Sequence, residues 1–250
     1  MDWQPFVFYH KLARLKMRYE NITGIFFDVG WTLLGPRYGN WAYNTAKMHE
    51  LMHSELFLSI PEERRREVFA HAQRFLESHL LVGTEEEELA INREFFSIIA
   101  RGLPELGLTN SDVGEIARDK VYNMENYFYF DDAAPLLSEL RGKYKLGVIS
   151  DTWPSIWRML DYGGLTGFFD SFTFSCFVGA CKPDRLIYED ALKKLGVPAE
   201  KTIFVDDFER NLDGAAALGI NPVLITYKPG AVPSEKYPNI ARISELIKLL

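Results

Sequence analysis

Asp28 is the first residue whose type and placement could do chemistry. It closes the apolar run Gly24-Ile25-Phe26-Phe27 and precedes the turn-prone Val29-Gly30 step, so it stands at the carboxyl end of an expected buried strand. Open α/β sheets present that position to a crevice between loops, where a carboxylate serves as nucleophile, metal ligand or both. On this stretch alone a plain turn residue is an equal reading. Polar groups recur, however, at the ends of later apolar runs. Ser150-Asp151 follows Lys145–Ile149, Lys182 follows Phe172–Phe174, and Asp206-Asp207 follows Thr202–Val205. In a parallel sheet all of them meet on one rim. Acids crowded there repel one another, and a divalent cation is the usual resolution. Oxygen-only ligands suit Mg2+, which keeps waters and takes a few carboxylates plus a substrate phosphate. A Lys beside Asp28 would hold it ionised, and Ser150 could donate a hydrogen bond to a phosphoryl oxygen.

The elements that must position these groups fall into two patterns. From Arg37 to about Met124 the signals are helical. Trp41–Leu56 has apolar residues at helical spacing, Pro61-Glu62-Glu63 opens a second helix, and Thr84 with Glu87 reads as a capping box. Ser111 and Asp112 begin a further helix. After Tyr127 strands and helices alternate, the pattern of βαβ units and a parallel sheet. The expected fold is therefore an α/β, Rossmann-like core built from residues 24–36 and 125–250, with an α-helical block over 37–124 spliced into it. Residues 1–23 form a basic, aromatic extension, expected as a helix on the outside of the sheet, with Met17 as an alternative start.

Composition narrows the partners. Of 250 residues, 47% are hydrophobic and 25% charged, enough for a large core, and the net charge is −7. That acidity argues against a protein that grips nucleic acid through its phosphates. A phosphorylated substrate would need local cations instead. No apolar run has the length of a membrane span, and the first residues lack a signal-peptide pattern, so a cytoplasmic setting without membrane contact is expected. Two cysteines, Cys176 and Cys181, are too few for a disulfide framework and read as reduced packing residues. His49 and His53 stand four apart without a third ligand.

Taken together, FFDVGWTLL, GVISDTW, CKPDRLIYEDALKKLG and TIFVDDFERNLDGAAALG resemble, in order and strand-end position, the four motifs of the haloacid dehalogenase (HAD) superfamily. The helical block is similar to that family's α-helical cap between the first two motifs. The resemblance implies a hydrolase, with Asp28 as the nucleophile that forms an aspartyl-phosphate. It implies a phosphate-binding hydroxyl at Ser150, a balancing cation at Lys182, and Asp207 as the principal Mg2+ carboxylate, with Asp206 beside it. Asn211 matches a further ligand or water-holding position. Gly30 would lend its backbone carbonyl to the metal. Phosphatases of the family usually carry an acid-base aspartate at that place, and glycine has no side chain to protonate a leaving group. General acid-base catalysis is worth about 10²–10⁴-fold, so alkyl phosphates would suffer most. Asp151 stands where Asn is more frequent and is either a stand-in acid or a helix cap before Pro154.

The expected function is a Mg2+-dependent phosphatase of a small phosphorylated molecule, weakened at Gly30. Two alternatives remain: a metal-independent 2-haloacid dehalogenase, whose family members also lack the second aspartate, and a protein that binds phosphate without turnover. Ser150, Asp151, Lys182 and Arg37 make the expected substrate-binding set, and Asp28, Gly30, Asp206 and Asp207 the expected metal set. Asn40 and Trp41 beside Arg37, and Asn92-Arg93 on a cap helix, are further candidates for leaving-group contact.

Overall fold

The protein was analysed as a computed structural model describing residues 18–250. Most of the expected N-terminal extension, with its helix and Met17, lies outside the described residues. The core begins with β1, Gly24–Phe27, whose four residues are all buried, as a run apolar on both faces requires. A tight turn leads to β2, Leu34–Pro36, and the chain then leaves the sheet.

Five helices follow: α1, Ala46–Met52, α2, Glu55–Ser59, α3, Glu62–Glu77, α4, Glu85–Gly102, and α5, Asn110–Tyr122. The expected single helix over Trp41–Leu56 is corrected here. Thr45 accepts from Met48 N and Ser54 from Phe57 N, so two N-caps split the stretch and leave Trp41 in a loop. The expected capping box at Thr84 is half formed, because Glu87 turns back to Gly83 N at 2.8 Å instead of Thr84 N. The full box is at Thr109 and Asp112, which starts α5. This helical insertion has its own apolar cluster, with Phe95, Phe96, Ile99 and Ile116 buried in it.

The chain returns through β3, Tyr127–Tyr129, which pairs antiparallel with β2 as a two-stranded ribbon at the foot of the insertion. Then come α6, Ala133–Leu140, β4, Lys145–Ser150, α7, Ile156–Tyr162, β5, Ser171–Phe174, and the single turn α8, Ser175–Val178. The last elements are α9, Arg185–Leu195, β6, Thr202–Asp206, α10, Glu209–Ala216, β7, Asn221–Ile225, and β8, Asn239–Ile240. Gly196, with φ 67°, ends α9 in the left-handed conformation that glycine adopts without strain.

Six strands form one parallel sheet in the order β5-β4-β1-β6-β7-β8. Strand order reverses between β1 and β6, so the crevice beyond their carboxyl ends is the ligand position such sheets provide. Register places Phe27 level with Val148 and Val205, which brings Asp28, Ser150 and Asp206 to one edge. Phe26, Phe27, Ile25 and Phe204 have no exposed surface, and each such side chain contributes about 1.5–3 kcal/mol by burial. Among the described residues no helix is long and apolar enough to cross a membrane.

Gly147 on β4 marks where the core tolerates no added atom. A Cβ there would stand 2.7 Å from the Phe26 ring and 2.8 Å from Ser171 Oγ. Gly147→Ala is expected to cost about 1–3 kcal/mol through overpacking, read as a lower urea midpoint with an unchanged slope.

Candidate active site

Lys182 is the centre of the constellation. It sits in the loop before α9, which Asp184 caps by accepting from Leu186 N at 2.9 Å. Its own backbone N–H donates to Asp151 Oδ1 at 2.8 Å. Thus Asp151 is not the helix cap one reading expected; it anchors the backbone of Lys182 at the cleft. The buried ammonium donates to Asp28 Oδ1 at 2.6 Å, Asp206 Oδ2 at 2.7 Å and the Ile149 carbonyl at 3.4 Å. Burial would lower the pKa of this amine, but the charges of Asp206 and Asp28 outweigh it and raise the value.

Three carboxylates at the rim differ in how far protein donors on other residues satisfy them: Asp206 fully, Asp28 at one oxygen and Asp207 at neither. Asp206 is wholly buried, and its Oδ1 accepts from Phe208 N at 2.7 Å and Asn211 Nδ2 at 3.1 Å, while Oδ2 is held by Lys182. The expectation that Asp206 ligates a metal is corrected: protein donors already occupy both its oxygens. Asp28 Oδ2, the Gly30 carbonyl and the Asp207 carboxylate have no hydrogen-bond partner on another of the described residues. Burial, with the charges of Asp206 and Asp207 added, pushes Asp28 up to about 7 despite the pull of Lys182. Burial and Asp206 push Asp207 up to about 6.

This donor set fits Mg2+. Among the described residues no three or more His, Cys, Asp or Glu side chains form a metal cluster, so the site is not a dedicated cage. Two carboxylates and one carbonyl, with room for water, are the sparse oxygen set that Mg2+ takes. Asn211 Oδ1, buried at the same place, also lacks a partner.

A cavity of about 650 Å³ opens over the rim, between sheet and insertion. Asp28, Gly30, Ser150, Asp151, Lys182 and Asp207 all line it. The Ser150 hydroxyl, at the end of β4, makes no hydrogen bond to the described residues and is 3% exposed. Arg37 is corrected: its Nε donates to the Glu125 carbonyl at 2.7 Å and its Nη2 to that of Tyr127 at 3.3 Å, outside this cavity. Asn40 turns inward to accept from Ala42 N. Trp41 does line the cleft, with its ring 3.1 Å from where a Gly30 Cβ would stand.

Some lining residues escaped the sequence reading. Lys228 follows β7 on the same rim and offers a cation beside Asp207; its place just beyond a strand end was the available signal. Arg210 on α10 is another. Trp31 holds a left-handed backbone, φ 56°, which costs a non-glycine residue about 1–2 kcal/mol. Nothing in the local sequence signals that strain.

The raised carboxylates give a pH dependence of known sign. In the unfolded chain Asp28 reverts to about 3.8, so between about pH 4 and pH 7 the folded state holds more protons. The stabilising contribution is complete below the unfolded value and is lost as pH rises through the folded one. Metal-free protein is therefore expected to show a falling urea midpoint across that window, and Asp28→Asn to flatten the fall.

The family model described as haloacid dehalogenase-like hydrolase matches residues 22–219. The chain is 32% identical over 103 residues to the glyceraldehyde 3-phosphate phosphatase of Methanothermobacter thermautotrophicus, covering 38% of this chain and 44% of that protein. It is 32% identical over 97 residues to the pyrimidine 5'-nucleotidase YjjG of Escherichia coli, covering 38% and 41%. The matched segments thus span less than half of either relative. Among solved structures, a HAD phosphatase from Thermococcus onnurineus aligns over 91% of this chain and 97% of its own, with TM-score 0.62 and 21% identity. A 2-haloacid dehalogenase from Pseudomonas syringae aligns over the same shares, with TM-score 0.60 and 19% identity. At such identities these likenesses carry the fold alone. The family match across most of the chain carries more, and the protein belongs to the haloacid dehalogenase-like hydrolases.

Proposed function

We propose that this hydrolase is a Mg2+-dependent phosphatase of small phosphorylated molecules, acting through an aspartyl-phosphate on Asp28. The observation that carries the reading is the buried Lys182–Asp28 pair at 2.6 Å, beside a cleft where Asp28 Oδ2 and the Ser150 hydroxyl are left without partners. The Asp28 carboxylate attacks phosphorus, the bond from phosphorus to the leaving oxygen breaks, and that oxygen departs with the electron pair and takes up a proton from solvent. Ser150 donates to a phosphoryl oxygen, while the Lys182 ammonium offsets the charge of carboxylate and phosphoryl group. Water then attacks the acyl phosphate, releasing inorganic phosphate and restoring the Asp28 carboxylate. Mg2+ held by Asp28, the Gly30 carbonyl and Asp207 would supply positive charge to the phosphoryl oxygens.

The names of the curated relatives, a phosphatase and a nucleotidase, support phosphoester chemistry. Gly30 also suits a dehalogenase, but the unpartnered oxygens of Asp28 and Asp207 favour the metal-using reading. The proposed partner is a small molecule in the cytoplasm, with neither nucleic acid nor membrane involved.

Asp28→Asn is expected to abolish phosphate release from a panel of phosphate esters, and a chelator to abolish it reversibly in the wild type. Equal release by wild type and Asp28→Asn removes the nucleophile from the scheme, and chelator-insensitive chloride release from a 2-haloacid favours the dehalogenase. The Trp41 ring crowds the space above Gly30. Gly30→Asp alone is therefore expected to leave alkyl-phosphate turnover low, whereas Gly30→Asp with Trp41→Ala raises kcat/KM by about 10²-fold.

A further inference from the structure

Asn92 lies on α4 of the helical insertion and lines the cleft, yet it is 1% exposed. Its Nδ2 donates to the Glu88 carbonyl at 2.9 Å, one turn back on the same helix. That bond decides which end of the amide is nitrogen, since two oxygens facing each other would repel. Oδ1 is then a buried acceptor with no partner among the described residues. An apolar side chain would occupy this place without the cost of a stranded oxygen, so the amide calls for a ligand. The neighbouring Arg93, by contrast, is exposed and outside the cleft.

The rest of the lining says what kind of ligand. Trp31, Trp41, Tyr127, Trp153 and Met159 give the cleft aromatic and apolar walls, the site carboxylates and Lys182 lie at the sheet rim, and Gln73, Glu88 and Lys120 add polar groups on the side of the insertion. Walls of this kind hold a flat apolar body, and a few polar groups orient it.

We propose that Asn92 determines specificity by accepting a hydrogen bond from an N–H or O–H on an aromatic leaving group. The substrate class is then a phosphate ester of an aromatic alcohol that carries a donor on its ring. The inference rests on the phosphatase reading, which assigns the phosphate to Asp28. Such an alcohol also leaves readily without protonation, in keeping with the missing side chain at Gly30.

The test uses the full chain with Mg2+ and three probes: phenyl phosphate and its 3-hydroxy and 4-hydroxy derivatives. Wild type is expected to favour at least one hydroxylated ester by about five- to tenfold in kcat/KM. In Asn92→Leu and Asn92→Ala that ratio falls to near one. A ratio near one in wild type for both isomers, or one that survives both substitutions, overturns the proposal. Calorimetric affinities of the same esters for Asp28→Asn, with and without Asn92→Leu, give the ratio independently of turnover. Absent turnover with a donor preference that Asn92→Leu erases sinks the phosphatase reading and keeps the role of Asn92, whereas no binding of any ester sinks both.

Discussion

One ammonium group, that of Lys182, is shared among two carboxylates and a carbonyl, and the rest of the site is arranged around that sharing. Burying charges is expensive unless every one finds partners. Here each of the three N–H bonds of the amine has an acceptor, and Asp206 is saturated by Lys182, Asn211 and the Phe208 backbone. Asp206 therefore serves to hold Lys182 in place, and Asp28 keeps one oxygen for chemistry. The support extends outward: Asp151 grips the backbone of Lys182, and Tyr188 donates to the carbonyl of Asn211 at 2.7 Å, tying α9 to α10. Burial, with an excess of carboxylate over ammonium added to it, pushes Asp28 and Asp207 both upward, and a cation suits such a rim.

The second constraint is the docking of the insertion. Glu88 on α4 is 4% exposed and accepts from Ser155 N at 2.8 Å and Ser155 Oγ at 2.6 Å, across the cleft from insertion to core. Burial raises the pKa of Glu88, and the two Ser155 donors oppose that rise. Trp153 donates its indole N–H to the Leu80 carbonyl, and Arg158 forms a two-pronged pair with Glu85. The buried Glu88 contact carries more than the exposed Arg158 pair, since solvent screens the latter. These contacts hold Glu88 and Asn92 of the insertion at the cleft, facing the loop after β4 that carries Trp153.

Much of the core was legible because doubly buried strands leave unmistakable apolar runs. Phe26, Ile149 and Phe204 lie in such runs, and the polar residues ending them had to share a rim once the sheet was parallel. The helix over Trp41–Leu56 was misread because its apolar spacing continues through Thr45 and Ser54, where capping side chains end the periodicity that counts. The β2–β3 ribbon was invisible for a different reason: Leu34–Pro36 finds its partner at Tyr127–Tyr129, and short segments so far apart carry no local signal of pairing.

The sequence by itself determined the α/β core, the helical insertion and the gathering of Asp28, Ser150, Lys182 and the Asp206-Asp207 pair, because burial pattern and chain alternation are local properties. Tertiary structure decided which of two adjacent aspartates is consumed by Lys182 and which stays free, since only strand direction and side-chain reach separate them. It also decided that Arg37 turns away to backbone carbonyls, that Trp41 fills the space above Gly30, and that Asn92 is left with an unpaired oxygen. Those outcomes depend on which surfaces meet when insertion and core close on each other, and no stretch of either contains that information alone.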